Sequence, residues 1–207
     1  MMTAIAGLIL AGGRSSRMGG TDKTLLALGG RPMIRHVLDR LAPQASPVVI
    51  NTNGDPAHFA HFGAEVIADT IAGYQGPLAG VLTGLEWAKE LAGVTHVLSV
   101  AGDTPFFPAD LAQKLAHHAV EDRIAVAASN GRVHPTFALW PVSLRVALAG
   151  FLQGADSRRV MTFMEQAGMA AVDFPEMRFG NARVDPFFNI NTPDDLAEAE
   201  RLLAGVE

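Results

Sequence analysis

The chain has 207 residues, a formal net charge of −5 and a hydrophobic content of 49%. This apolar content suits a packed core and excludes a disordered chain, and the length predicts a single domain over residues 1–207. The sequence contains no cysteine, which excludes a disulfide framework, a thiolate zinc site and a cysteine nucleophile. The acidic balance argues against nucleic-acid binding, because such binding depends on a basic surface.

No segment approaches the roughly 20 uninterrupted apolar residues that a membrane span needs. The apolar run at residues 4–11 precedes the first basic residue, Arg14, whereas a signal peptide has its basic residues first. We therefore interpret the run as a buried strand and expect a cytoplasmic protein without a membrane partner.

Short apolar runs alternate with helical stripes along most of the chain. In chain order, the pattern predicts a strand at 5–10, a helix at 31–41, strands at 47–52 and 64–68 around a weak helix at 56–62, a helix at 78–91, a strand at 95–101, a helix at 109–120, and strands at 124–128 and 133–140. The last third predicts helices at 144–152 and 159–166, strands at 171–174 and 187–190, and a final helix that Thr192 caps and Pro193 begins.

This alternation predicts a three-layer α/β/α sandwich with a mainly parallel, Rossmann-like sheet. Ligands of such sheets bind outside the carboxyl ends of the strands. The positions to inspect are therefore those after Leu10, Thr52, Ala68 and Ala101.

The segment 11–23 follows the first strand and contains four glycines and three cations. Glycine amides approach an anion closely, and Arg and Lys contact phosphate oxygens, so the segment favours phosphate binding over a solvated basic loop. No Lys in the chain follows a Gly, which excludes a Walker A loop. No two glycines are separated by one residue, which excludes the dinucleotide fingerprint.

The same segment carries a resemblance to a known family. Its pattern Leu10-Ala11-Gly12-Gly13-x-Ser15-x-Arg17-Met18-Gly19, followed by Asp22-Lys23, resembles the signature loop of nucleotidyltransferases that activate sugars, alcohols or cofactors. Within that superfamily it is most similar to the molybdenum cofactor guanylyltransferases. Further similar motifs lie at residues 76–80, 102–105, 134–136 and 188–196, so the resemblance runs from about residue 5 to residue 203.

The resemblance implies the nucleotidyltransferase (nucleotide-diphospho-sugar transferase-like) fold and a specific reaction. GMP would be transferred from GTP to the terminal phosphate of molybdopterin, releasing pyrophosphate and forming molybdopterin guanine dinucleotide. It implies Mg²⁺ as the cofactor. The expected partners are GTP and molybdopterin, with transient contact to molybdoenzymes or their chaperones, and the chain is expected to act as a monomer.

The resemblance also implies roles for individual residues. Asp103 would hold the metal ion, in keeping with the preference of Mg²⁺ for one or two carboxylates and phosphate oxygens; the alternative is a turn-forming aspartate. Lys23 and Arg17 would bind the triphosphate and offset charge on the leaving group; the alternative is a solvated surface cation. The remaining expected GTP-binding residues are Leu10, Ala11, Gly12, Gly13, Asn51, Asp69 and Gly80.

Two further pairs carry open alternatives. Asn51 and Asp69 end strands, and the resemblance places them near the guanine base or the ribose, although both are also common turn residues. Asn189 and Asn191 alternate along a predicted strand, so they share a face that the resemblance places beside the acceptor pocket; strand-end hydrogen bonding is the alternative. Among the remaining motif residues, Gly84 predicts close helix packing, and we expect His134 to orient its strand or the pocket.

Other functions stay open at this point. A cytidylyltransferase for the same cofactor and a sugar-phosphate nucleotidyltransferase are near alternatives, and by resemblance Gly13 and the run at residues 76–80 favour guanylyl transfer. A nucleotide-binding module without catalysis is a more distant alternative. The presence of Asp103 and Lys23 argues against it.

Overall fold

A computed structural model describes residues 4–11, 22–71, 76–119, 122–154 and 159–205. Its strands are β1 (Ala4–Leu10), β2 (Ala27–Leu28), β3 (Arg31–Pro32), β4 (Val48–Asn51), β5 (Glu65–Ile67), β6 (Val94–Ala101), β7 (Ile124–Ser129), β8 (Arg132–Pro141), β9 (Met169–Asp173), β10 (Met177–Phe179) and β11 (Ala182–Val184). Its helices are α1 (Met33–Leu41), α2 (Pro77–Lys89), α3 (Leu111–His118), α4 (Arg145–Gly154), α5 (Val160–Ala167) and α6 (Pro193–Ala204).

The central sheet has seven strands in the order β5-β4-β1-β6-β8-β7-β9. Strand β8 runs antiparallel to both of its neighbours, and all other pairings are parallel, so the expected mainly parallel sheet is confirmed. Leu10 pairs with Asn51 on one side and with Ala101 on the other. The carboxyl ends of β4, β1 and β6 are therefore level, and the segments that follow them meet at one edge.

Helices cover both faces of this sheet, as the three-layer prediction requires. Helices α1 and α3 pack on one face through a buried cluster that includes Val37, Leu41 and Leu115. Helices α2, α4 and α5 pack on the other face. At Gly84 of α2, an added Cβ would lie 2.6 Å from the Leu8 side chain, so the predicted close packing of this helix is confirmed.

A third, smaller hydrophobic cluster packs against helix α6 and was not predicted. The β2–β3 and β10–β11 hairpins contribute to it together with α6, and its buried residues include Leu28, Phe106 and Leu202. The ring of Phe106 lies 5.0 Å from that of Phe179, centroid to centroid. Because Phe106 follows the carboxyl end of β6, this cluster fixes the segment that carries Asp103.

The predicted strand at 187–190 is wrong. Residues 185–191 run as a loop, and their backbone groups bond to other partners in place of a neighbouring strand. The N–H of Phe187 donates to the Asp185 carboxylate at 2.8 Å, and the N–H of Ile190 donates to the Asp103 carbonyl at 2.9 Å. Three apolar residues among these four satisfied the strand pattern, but the backbone N–H of Ile190 bonds to Asp103 of the cleft and not to a neighbouring strand. The weak helix at 56–62 is two 3-10 turns.

The capping prediction for the final helix is confirmed. The Thr192 hydroxyl accepts from the N–H of Asp195 at 3.1 Å, and the Asp195 carboxylate accepts from the N–H of Thr192 at 2.8 Å. We expect Thr192→Ala to lower the free energy of unfolding by about 1 kcal/mol, because it leaves a helical N–H without its side-chain acceptor. Urea denaturation measures this, and an unchanged midpoint would contradict the capping role.

Among the helices in these ranges, none combines the length and the apolar character that crossing a membrane requires.

Candidate functional site

A cleft of about 180 Å³ lies at the carboxyl edge of the sheet. Six of its lining residues were predicted as site residues from the sequence, namely Leu10, Asn51, Asp69, Gly80, Asp103 and Asn189. The other lining residues are Asn53, Gly76, Pro77, Ala101 and Thr136. These residues lie close together because β1, β4 and β6 end side by side, so the residues at and after their carboxyl ends line the same cleft.

One end of the cleft is a carboxylate held by two amides. The Asn51 side chain donates to one oxygen of Asp69 at 2.9 Å, and the Asn53 side chain donates to the other at 2.7 Å. In return, the Asn53 side-chain oxygen accepts from the backbone N–H of Asp69 at 3.0 Å. Asn51 is only 3% exposed. The Asp69 carboxylate is therefore fixed in orientation before any ligand arrives.

The other end of the cleft is an ion pair. Lys23 pairs with the Asp103 carboxylate, and the two side chains are only 20% and 13% exposed. The Lys23 ammonium also donates to the side-chain oxygen of Asn191 at 2.8 Å. A cation, an anion and an amide from three distant parts of the sequence thus meet beside the cleft, although Asn191 does not lie on a strand.

Local capping holds Lys23 in this position. The Asp22 carboxylate accepts from the N–H of Thr24 at 3.0 Å and from its hydroxyl at 2.7 Å, which starts a 3-10 turn at Lys23. Asn191, which accepts from Lys23, is itself held by helix α6: its N–H donates to the Asp195 carboxylate at 2.9 Å. That bond, more than the helix-capping bonds and the Lys23 charge, lowers the pKa of Asp195 below its usual 3.8. Because the folded-state pKa is depressed, this carboxylate stabilises the fold above pH 3.8, and the contribution is lost as the pH falls further.

The remaining predicted residues belong to the glycine-rich segment. Ala11 is buried, and its N–H donates to the Asn51 carbonyl at 2.9 Å, so β1 and β4 are still paired where that segment begins. Gly12, Gly13 and Arg17 lie outside the described residues. The described chain leaves the sheet after Ala11 and resumes at Asp22, which precedes Lys23.

A family model described as the MobA-like NTP transferase domain matches residues 7–169. The chain belongs to this family. A relative from Mesorhizobium japonicum, named molybdenum cofactor guanylyltransferase, is 52% identical over 205 residues, which cover 98% of each chain. A relative of the same name from a Bradyrhizobium species is 47% identical and covers 98% of this chain and 94% of its own length.

Solved structures share the fold of this MobA-like chain. Molybdopterin-guanine dinucleotide biosynthesis protein A from Archaeoglobus fulgidus has 25% identity and a TM-score of 0.72, with 96% of this chain and 98% of that chain covered. The fold is also that of a CMP:2-keto-3-deoxy-manno-octonic acid synthetase, with 17% identity, a TM-score of 0.70 and coverage of 98% of this chain and 99% of that chain. The predicted nucleotidyltransferase fold is therefore confirmed.

The donor set of this MobA-like domain fits a magnesium ion shared with a nucleotide. Within the described ranges, no three His, Cys, Asp or Glu residues form a cluster that would hold a metal by itself. Asp103 offers a single carboxylate at the cleft wall, and Mg²⁺ is commonly held by one or two carboxylates together with phosphate oxygens and water. A triphosphate would supply the missing ligands.

Sequence reasoning missed two of the polar side chains that line this MobA-like site, Asn53 and Thr136. Asn53 stands two positions after Asn51, beyond the end of β4, and a polar residue there reads as part of a turn. The sequence signal for Asn53 was only its spacing of two positions from Asn51. Thr136 belongs to a motif noted at residues 134–136, but that motif has no recognisable chemistry, and only the pairing of β8 with β6 brings it to the cleft.

Proposed function

We propose that this chain is a molybdenum cofactor guanylyltransferase, which transfers GMP from GTP to the terminal phosphate of molybdopterin and releases pyrophosphate. The observation that carries the proposal is one cleft with a fixed carboxylate, Asp69, at one end and the Lys23–Asp103 pair at the other. The names of the relatives support the same reaction, and their near-complete coverage supports a single catalytic domain.

Asp69 is suited to recognise guanine. An ionised carboxylate has about four lone-pair sites, of which Asn51 and Asn53 use two. The remaining two match the adjacent N1–H and N2–H donors of guanine, whereas cytosine presents an acceptor at the corresponding ring position. We propose that Asp69 selects the base and that Asn51 and Asn53 hold the Asp69 carboxylate in position.

Gly80 provides room beside this base site. A Cβ at residue 80 would lie 2.3 Å from the Asn51 side-chain oxygen and 2.7 Å from the Leu10 side chain. Asn51 is buried and hydrogen-bonded, so it has little freedom to yield. We expect Gly80→Ala to weaken GTP binding about tenfold or more. The matched control is Gly150→Ala, on helix α4, where nothing lies within 4 Å of the added Cβ. Equal GTP affinity in the two variants would contradict this role.

The phosphates belong at the other end of the cleft. Lys23 supplies a positive charge for the triphosphate, and Asp103 would hold Mg²⁺, which when bound stabilises negative charge on the phosphates. By resemblance, the backbone of Leu10, Ala11, Gly12 and Gly13 would line the nucleotide, and Arg17 would join Lys23 on the leaving pyrophosphate. These assignments place positive charge beside the pyrophosphate leaving group.

The acceptor would enter beside Asn189 and Asn191. Asn189 lines the cleft and Asn191 bonds to Lys23, so both lie next to the proposed phosphate end. An oxygen of the acceptor phosphate would attack the α-phosphorus of GTP, and the bond to the β-phosphate would break. That nucleophile is already anionic, so positioning suffices and a general base is not needed.

Pyrophosphate release with GTP, Mg²⁺ and molybdopterin tests the proposal. We expect release that requires the acceptor and is much slower with CTP. Equal or faster release with CTP would favour the cytidylyl alternative. Tight GTP binding without release would favour a nucleotide-binding module, and release with a sugar phosphate in place of molybdopterin would favour the sugar-phosphate alternative.

A further inference from the structure

Hydrogen bonds among polar side chains connect the segment 185–191 to the β7–β8 hairpin. Their centre is Ser129, the last residue of β7, which is 1% exposed. The Ser129 hydroxyl lies 2.7 Å from Nε2 of His134 and 2.8 and 2.9 Å from the two carboxylate oxygens of Asp185. The side chains of His134 and Asp185 therefore meet at the buried Ser129 hydroxyl, and none of these three residues lines the cleft.

Counting protons assigns the direction of each bond. The Asp185 carboxylate accepts only, so the single Ser129 proton is donated to it. The Ser129 oxygen must then accept from His134, which requires a proton on Nε2. Burial lowers the pKa of His134 below its usual 6.5 more than nearby Asp185 raises it, so the ring is neutral at pH 7. The neutral tautomer with hydrogen on Nε2 is the one that satisfies these hydrogen bonds.

Asp185 in turn fixes the beginning of the segment. One carboxylate oxygen accepts from the N–H of Phe187 at 2.8 Å, and the other accepts from the Asn130 side chain at 3.2 Å. The Phe187 ring packs against the His134 ring, with centroids 4.5 Å apart, and against Phe137 at 4.9 Å. Polar and aromatic contacts thus hold the same few residues.

The other end of this segment reaches the ion pair of the cleft. The N–H of Ile190 donates to the Asp103 carbonyl at 2.9 Å, and the Asn191 side chain accepts from Lys23 at 2.8 Å. The segment is not paired in a sheet, so its position depends on these two anchors together with the packing of Phe187 and Ile190 in the core. Asn189 and Asn191 therefore lie on the short stretch of chain that follows the Asp185 anchor.

We propose that Ser129 and His134 are positioning residues, which act through Asp185 to place Asn189 and Asn191 for the acceptor. The inference rests on the proposed function, in which these two asparagines border the acceptor. The base end of the cleft, at Asn51, Asn53 and Asp69, has its own hydrogen bonds, so the anchor should matter far less for GTP binding than for the acceptor. Loss of the anchor should therefore weaken use of the acceptor far more than it weakens GTP binding.

The test compares Ser129→Ala, His134→Ala and His134→Gln. We expect the two alanine variants to lower kcat/KM for molybdopterin about tenfold or more, while the Kd for GTP, measured by calorimetry, changes less than about twofold. Glutamine can place an amide N–H near the position of Nε2, so His134→Gln should recover most of the loss. Ser143→Ala is the matched control, because it removes an exposed serine–aspartate bond of 2.7 Å to Asp122.

Each outcome decides a separate point. Wild-type protein that binds GTP but transfers no GMP to molybdopterin contradicts the proposed function. Active wild-type protein together with alanine variants at wild-type kcat/KM overturns the positioning role alone. A His134→Gln variant as slow as His134→Ala also overturns it, since the hydrogen bond would then not be the cause. If Ser129→Ala does not fold, the comparison of the two His134 variants still decides.

Discussion

Replacing Asp103 by asparagine is expected to lower kcat about 10³-fold, or roughly 4 kcal/mol in activation free energy, while the fold is preserved. Asparagine has nearly the same size and keeps an oxygen for the Thr104 hydroxyl, which donates to Asp103 at 3.2 Å. It loses the negative charge that pairs with Lys23 and that a divalent cation would need.

Single-turnover pyrophosphate release measures this effect, and increasing Mg²⁺ should not restore the rate. Asp110→Asn is the matched control, because Asp110, the residue before helix α3, forms an exposed ion pair with Lys114 at 2.9 Å. We expect the control to keep the wild-type rate. A wild-type rate in Asp103→Asn would remove Asp103 from the reaction.

Replacing Lys23 by methionine is expected to lower kcat about 10²-fold. Methionine keeps the apolar stem of the side chain but removes the cation that faces Asp103 and Asn191. The reaction moves negative charge onto the leaving pyrophosphate, so a cation placed there is worth more in the transition state than in the bound substrate. The matched control, Lys114→Met, removes the exposed lysine of the Asp110–Lys114 ion pair and should keep the wild-type rate. A change in KM alone would contradict the transition-state role.

The double variant Asp103→Asn with Lys23→Met tests whether the pair acts as a unit. Residues that share one function lose activity in a non-additive way. We expect the double variant to be about as slow as Asp103→Asn alone. Multiplied losses, about 10⁵-fold in total, would show two independent roles.

Long periodic elements and short irregular ones differ in how well the sequence predicted them. Strand β6 and helix α6 have strong signals, a continuous apolar run and a capped helical stripe, and both were found. The β10–β11 hairpin was missed because three-residue strands show too few alternations to reveal a period. The segment 187–190 was misread because a short, mostly apolar run does not show which backbone groups it will hydrogen-bond with.

The site shows the same contrast between local and long-range information. Asn51 and Asp69 end predicted strands at the ligand edge of an α/β sheet, and the family resemblance, not this pattern alone, suggested a role for them at the base. Their mutual bond depends on the pairing of β4 with β5, and no local pattern reports it. The contact of Lys23 with Asn191 joins residues 168 positions apart, which only the folded chain brings together.

The most direct measurement is a crystal structure of this protein with GTP and Mg²⁺ bound. The account predicts the guanine edge on the Asp69 carboxylate and the triphosphate beside Lys23 and Asp103. Another groove of this surface is lined by Arg31, Arg40 and Phe106, and it offers a basic and aromatic alternative. GTP bound in that groove, with the cleft between Asp69 and Asp103 empty, would contradict the account.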